Sequence, residues 1–147
     1  MTTTKQDDTG LAGKSSTPLR DDAAPKPLAG RRILFAEDEV LIALDVSWEL
    51  EEAGASLVGP LSTFDETMAA VETETFEAAI LDIDLRGDLS FPIAERLRQL
   101  NVPFVFATGN GLQYDLETRF PAIPVVHKPY SAAYLLKEVA KLLQTTA

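Results

Sequence analysis

Cysteine is absent from the 147 residues. That excludes thiol chemistry and a disulfide framework, and it fits a reducing compartment, so the cytoplasm is the expected location. Basic residues are scarce: 13 Lys and Arg stand against 23 Asp and Glu, for a formal net charge of −10. A phosphate backbone would be repelled by such a surface, so nucleic acid is not expected as a direct partner. No apolar run approaches the roughly 20 residues that a membrane span needs. Gly109 and Gly111 lack the third glycine and the strong following helix of a nucleotide-binding fingerprint. Histidine occurs once, and His127 is read as a structural neighbour of Lys128 rather than as a phosphohistidine or a metal ligand.

What is present divides into two parts. Residues 1–29 are built from Thr, Lys, Asp, Gly, Ser and Pro, with Pro18, Pro25 and Pro27, and read as a disordered arm. The arm's Lys5, Lys14, Arg20 and Lys26 balance its Asp7, Asp8, Asp21 and Asp22, so the negative charge belongs to the single domain expected over residues 30–147. There, short apolar runs alternate with longer amphipathic segments, the pattern of an α/β protein with a parallel sheet. Strands are expected at Arg32–Ala36, Ser56–Val58, Ala78–Leu81, Pro103–Ala107 and Ile123–Val126. Helices are expected over 40–53, from Thr63 to about Thr75 behind a Thr63/Glu66 capping box, over 91–100, and from a Ser131 cap to about 143. A weak amphipathic piece spans Tyr114–Phe120, and residues 82–90 read as a loop.

Ligands of open α/β sheets bind beyond the carboxyl ends of the strands. The residues standing there are Glu37, Asp38, Asp82, Thr108 and Lys128. Three carboxylates converging at strand ends repel one another unless a cation joins them, and an all-oxygen site suits Mg²⁺. Asp82, at the end of the middle strand, is then placed as a carboxylate nucleophile towards phosphorus. Lys128 would offset charge on the phosphoryl oxygens and the Thr108 hydroxyl would hydrogen-bond one of them.

The ordered set of an acidic pair, a strand-end Asp, a strand-end Thr and a Lys-Pro dipeptide resembles the receiver domain of bacterial response regulators, over nearly all of residues 31–147. Phe106-Ala107-Thr108-Gly109 after a Pro-Phe-Val strand, Leu81-Asp82-Ile83-Asp84-Leu85 and His127-Lys128-Pro129-Tyr130 further resemble the "FAT GUY" subgroup of single-domain regulators. The resemblance implies a doubly wound, flavodoxin-like five-stranded parallel sheet in the order 2-1-3-4-5. It implies Asp82 as phospho-acceptor, Asp38 touching Mg²⁺ directly, Glu37 acting through water, and the Asp84 backbone carbonyl on the metal. It also implies Thr108 and Lys128 as phosphoryl contacts and a cis Lys128–Pro129 peptide. The implied protein is no enzyme in the ordinary sense, catalysing only its own phosphotransfer and dephosphorylation. Its partners would be a histidine kinase and a downstream phosphotransfer or regulatory protein, and its state a monomer or a weak phosphorylation-dependent dimer. No output domain is expected after the last helix.

Three positions depart from the receiver pattern. Val125 stands where most receivers carry the aromatic switch residue, Tyr130 replaces a more frequent Phe, and Gly111 stands near a usual Tyr. Readout is therefore expected through the Thr108–Gly111 loop and the weak helix behind it. On the first helix, Ile42, Ala43, Val46, Leu50 and Ala53 form the arc for the sheet, while Leu41, Leu44 and Trp48 form a second apolar arc. One helix on a sheet does not bury both, so the second arc is expected to dock the kinase, unless Leu19 or Leu28 of the arm covers it. Two other functions compete. Asp82-Ile83-Asp84 resembles the Asp-x-Asp of haloacid-dehalogenase-like phosphatases, but that family has its metal-binding acids downstream of the Lys. The other competitor is a receiver-like module that binds a partner without phosphorylation.

Overall fold

Five strands line up in parallel, and the three central ones are apolar and buried on both faces, as parallel strands covered by helices must be. The structure is a computed structural model that describes residues 26–109 and 113–145. Its elements are β1 (Arg32–Ala36), α1 (Val40–Glu52), β2 (Ser56–Leu61), α2 (Phe64–Thr73), β3 (Ala78–Leu81), β4 (Asp84–Leu85), β5 (Asp88–Leu89), α3 (Phe91–Gln99), β6 (Phe104–Thr108), α4 (Leu116–Arg119), β7 (Val125–His127) and α5 (Ala132–Thr145). The main sheet runs β2-β1-β3-β6-β7 with every pairing parallel. With the small β4–β5 hairpin set aside, that is the order 2-1-3-4-5, a flavodoxin-like receiver fold.

Strand alternation sends side chains into two cores. Ile33 and Phe35 of β1 join Ala43, Val46 and Leu50 of α1 and Leu135 and Val139 of α5 on one face. Leu34 and Ala36 join Ala70 and Val71 of α2, Ile93, Ala94 and Leu97 of α3, and Leu116 of α4 on the other. Helix starts follow local chemistry: the Thr63 side chain accepts from the Glu66 N–H at 3.1 Å, and Ser131 Oγ accepts from Tyr134 N–H at 3.0 Å.

Several expectations move. The ordered body begins before residue 30: Leu28 is fully buried, and its N–H donates to the Ala53 carbonyl at 2.8 Å. Leu28 is thus a core residue rather than part of the arm or a cover for Trp48; residues 1–25, Leu19 included, lie outside the described residues. β2 runs three residues past Val58 because Gly59-Pro60 continues the strand through a register irregularity. Gly59 has φ +126, and a Cβ there would sit 2.4 Å from the Phe35 carbonyl oxygen, so only glycine permits this approach of β2 to β1. The 82–90 loop holds the β4–β5 hairpin, turning on Arg86 and Gly87, both with positive φ. α2 stops at Thr73, α4 is one turn long, and β7 lies two residues later than expected at its start.

Candidate functional site

The parallel ladders continue one residue past the strands and set the polar side chains side by side. Glu37 N–H donates to Leu61 O at 2.8 Å, Asp82 N–H to Ala36 O at 3.1 Å, and Lys128 N–H to Thr108 O at 2.9 Å. Ser90, buried at the start of α3, donates through Oγ to the Asp82 carbonyl at 2.6 Å and fixes the loop behind β3. The structure thus gathers Glu37, Asp38, Asp82, Thr108 and Lys128 at one end of the sheet, with Glu37, Asp82 and Thr108 buried. A cleft of about 340 Å³ opens there, lined by residues including Asp38, Asp82, Thr108 and Lys128.

Lys128 is the hub. Its Nζ donates to Asp82 Oδ2 at 2.8 Å, to Glu37 Oε2 at 3.0 Å and to Glu39 Oε2 at 2.7 Å. Glu39, exposed at the start of α1, is the residue that sequence reasoning left out, although it is the third member of the acidic run Glu37-Asp38-Glu39. Asp38 Oδ2 accepts from the Arg86 N–H at 3.0 Å, tying the hairpin to the pocket. The Asp84 carboxylate is engaged elsewhere, Oδ1 accepting from Gly87 N–H at 2.7 Å. The Lys128–Pro129 peptide is cis. Val125 is half-buried on β7 and lines, with Tyr114, Ile123 and His127, a groove of about 490 Å³; Gly111 lies outside the described residues.

Burial is the first cause of the unusual acidities. It pushes the Glu37 carboxyl from its ordinary 4.5 up to about 7, the Asp82 charge adding to the effect and the Glu39 amide and Lys128 opposing it. Burial also raises Asp82, against the hydrogen bond and charge of Lys128. Lys128 is pulled down by burial, but its bonds to Asp82 and Glu39 and the Asp82 charge outweigh that and hold it above the usual lysine range.

The donor set fits a hard divalent cation. Glu37, Asp38, Glu39 and Asp82 each offer a carboxylate oxygen, all within 4.8 Å of one another. Glu37 Oε1 is buried with no hydrogen-bond partner, a place that a metal-bound water can fill. A pH dependence follows. The folded Glu37 keeps its proton to higher pH than the unfolded one, so its contribution to stability is full below pH 4.5 and is lost as pH rises through about 7. The loss amounts to about 3 kcal/mol at most. Mg²⁺ needs the ionised carboxylates, so it should raise the Tm clearly at pH 8 and hardly at pH 5. Thermal unfolding in EDTA and in Mg²⁺ checks this; an equal rise at both pH values contradicts it.

No family model matches the chain. Among solved structures, SdrG from Sphingomonas melonis is 40% identical, covering 80% of this chain and 98% of its own, with TM-score 0.66. The response regulator PhyR from Brucella abortus is 27% identical over 87% of this chain and 54% of its own, with TM-score 0.69. The receiver domain of a sensor histidine kinase from Pseudomonas aeruginosa, crystallised with magnesium in its active-site cleft, is 20% identical over 79% of this chain and 99% of its own, with TM-score 0.68. A curated relative, the sensory transduction protein LytR of Staphylococcus haemolyticus, is 23% identical over 76% of this chain, which spans only 44% of that protein. The chain belongs to the receiver-domain family of two-component response regulators. Its relatives are signalling proteins, and the phosphatase and phosphorylation-independent readings find no support among them. Among the described residues no helix is long and apolar enough to cross a membrane.

Proposed function

We propose that this chain is a phospho-acceptor of a two-component system, in which Asp82 takes a phosphoryl group from a histidine kinase. The observation that carries the reading is the Lys128 ammonium held 2.8 Å from Asp82 Oδ2, beside the buried Glu37 and Thr108, at the carboxyl end of the sheet. The Asp82 carboxylate attacks phosphorus, the phosphorus–nitrogen bond of the phosphohistidine breaks, and its electron pair returns to the imidazole, which takes up a proton. Lys128, released from part of its carboxylate cluster, offsets charge on the phosphoryl oxygens, and the Thr108 hydroxyl is placed at the neighbouring strand end to donate to one of them. Glu37, Asp38 and Asp82 would hold Mg²⁺, which when bound supplies further charge neutralisation around the transferring group. Phe106-Ala107-Thr108-Gly109 supports membership of the "FAT GUY" subgroup. A cytoplasmic monomer, or a weak dimer formed on phosphorylation, relaying to a downstream phosphotransfer or regulatory protein, completes the reading.

The experiment is incubation with Mg²⁺ and a small phosphoryl donor, followed by intact-mass measurement. One added phosphoryl group per chain is expected. Steady release of phosphate with no phosphorylated chain accumulating would mark a phosphatase instead.

The kinase is proposed to dock on α1. Leu41, Leu44 and Trp48 are 80%, 61% and 63% exposed, far above what core residues of that helix show. Trp48→Ala should slow transfer from the cognate kinase about tenfold or more, the size expected for loss of an aromatic anchor, and leave labelling by the small donor unchanged. Transfer kinetics with both donors check this. Equal loss with both would make Trp48 a folding residue, and unchanged transfer from the kinase would place docking elsewhere.

A further inference from the structure

A lysine ammonium has three N–H bonds to donate and no more. In the unphosphorylated chain all three of Lys128 are taken, by Asp82 Oδ2 at 2.8 Å, by Glu37 Oε2 at 3.0 Å and by Glu39 Oε2 at 2.7 Å. A phosphoryl oxygen entering the cleft therefore meets the ammonium only by displacing one of them. Burial decides which one yields. The side chains of Glu37 and Asp82 are 1% and 5% exposed, so a carboxylate that lost its cation there would find little water in exchange, and stranding a buried charge is costly. The Glu39 side chain is 59% exposed, and water replaces its cation at little cost, as it does for exposed ion pairs in general. The backbone of Glu39 is held on both sides, its N–H donating to Glu37 Oε2 at 3.0 Å and its carbonyl accepting from the Ala43 N–H at 2.9 Å, so the exchange needs only a turn of the side chain. Glu39 also lines the open cleft together with Asp82, Thr108 and Lys128.

We propose that Glu39 is a positioning residue for Lys128 and a placeholder for the phosphoryl group: its carboxylate holds the third N–H of the ammonium until a phosphoryl oxygen takes that place, and then turns to water. The bonds to Glu37 and Asp82 stay in force while the donor enters, so the ammonium does not move away from the acceptor carboxylate. The placeholder has a kinetic consequence. An incoming anion must compete with a carboxylate for the ammonium, so Glu39 slows labelling by a free donor. The role rests on the reading of Asp82 as phospho-acceptor, and it identifies which contact of Lys128 is exchanged when that acceptor is used.

The test combines the rate of labelling by acetyl phosphate in Mg²⁺ with NMR of the Lys128 side chain. Glu39→Ala and Glu39→Asp should both be labelled about two- to fivefold faster than wild type, the size of one exposed ion pair, because the shorter side chains no longer reach the ammonium from a fixed backbone. Glu39→Asp keeps the negative charge, so a gain confined to Glu39→Ala would mean general repulsion of the donor and overturns the inference. Rates that are unchanged or slower in both variants overturn it as well. In the unphosphorylated chain Glu39→Ala should shift the Lys128 Nζ signal, and with beryllofluoride, a tetrahedral phosphoryl analogue, bound at Asp82 the signals of variant and wild type should coincide. A shift of equal size in both states overturns the inference, because Glu39 would then still hold the ammonium, and so does no shift in either. Wild-type protein that takes no phosphoryl group overturns the Asp82 reading and this inference with it, whereas a normally labelled wild type with unaltered variants overturns the inference alone.

Discussion

Replacing Lys128 by methionine is expected to lower the stability of the metal-free protein at pH 8 by about 3 kcal/mol or more, roughly 10 °C in Tm. Among the described residues the ammonium is the one cation bonded to Glu37, Glu39 and Asp82, and two of those carboxylates are nearly inaccessible to water. Removing one partner of a buried ion cluster leaves charge uncompensated, which costs far more than the intact cluster gains. The sign with pH can be worked out. Without Lys128 the folded carboxyls of Glu37 and Asp82 hold their protons still more tightly, since the ammonium now opposes their upward displacement. The deficit is therefore largest above pH 7 and shrinks towards pH 5, where protonation removes the repulsion. Mg²⁺ at pH 8 should recover part of the loss by substituting one cation for another. Urea unfolding of wild type and variant at pH 5 and pH 8, with and without Mg²⁺, checks all three statements. A deficit that is the same at both pH values would mean that Lys128 contributes through the packing of its stem and not through its charge.

How far such a site can be read from sequence depends on where each signal lies. β1, β3 and β6 are buried on both faces, so their apolar runs stand out, and the polar residues that follow them are at strand ends by necessity. Glu37, Asp38, Asp82 and Thr108 could be found for that reason, and Lys128 because it follows the shorter apolar run that ends in β7. Glu39 could not, because an exposed acid at the start of a helix is ordinary surface until a distant lysine reaches it. The β4–β5 hairpin has strands of two residues, too short for any alternation to register, and its Arg86-Gly87 turn carries only half of the usual signal. Gly59-Pro60 reads as the end of a strand, whereas the chain continues pairing beyond it. Leu28 is a single apolar residue in a Pro- and Gly-rich stretch, and only its contact with the Ala53 turn makes it core. The second apolar arc of α1 was legible from its spacing, because a 13-residue helix on a sheet has room for one buried stripe, here Ala43, Val46 and Leu50.

The central claim is that one carboxylate, Asp82, receives the phosphoryl group, although Asp84 is two residues away and Glu37 and Asp38 lie in the same pocket. Geometry separates them. Asp82 has its Oδ2 on Lys128 at 2.8 Å and lines the open cleft. Asp84 is occupied by the hairpin turn, and Glu37 is closed in behind the cluster. The ammonium also reaches Glu37 and Glu39, so the proposal for Asp82 rests on its place at the end of the central strand β3, between the strand ends that carry Glu37 and Thr108, where it both meets Lys128 and lines the cleft. The direct measurement is intact-mass spectrometry of wild type, Asp82→Asn and Asp84→Asn after exposure to Mg²⁺ and a small phosphoryl donor. One phosphoryl group on wild type and on Asp84→Asn, with none on Asp82→Asn, is the predicted result; a phosphorylated Asp82→Asn chain would contradict the assignment.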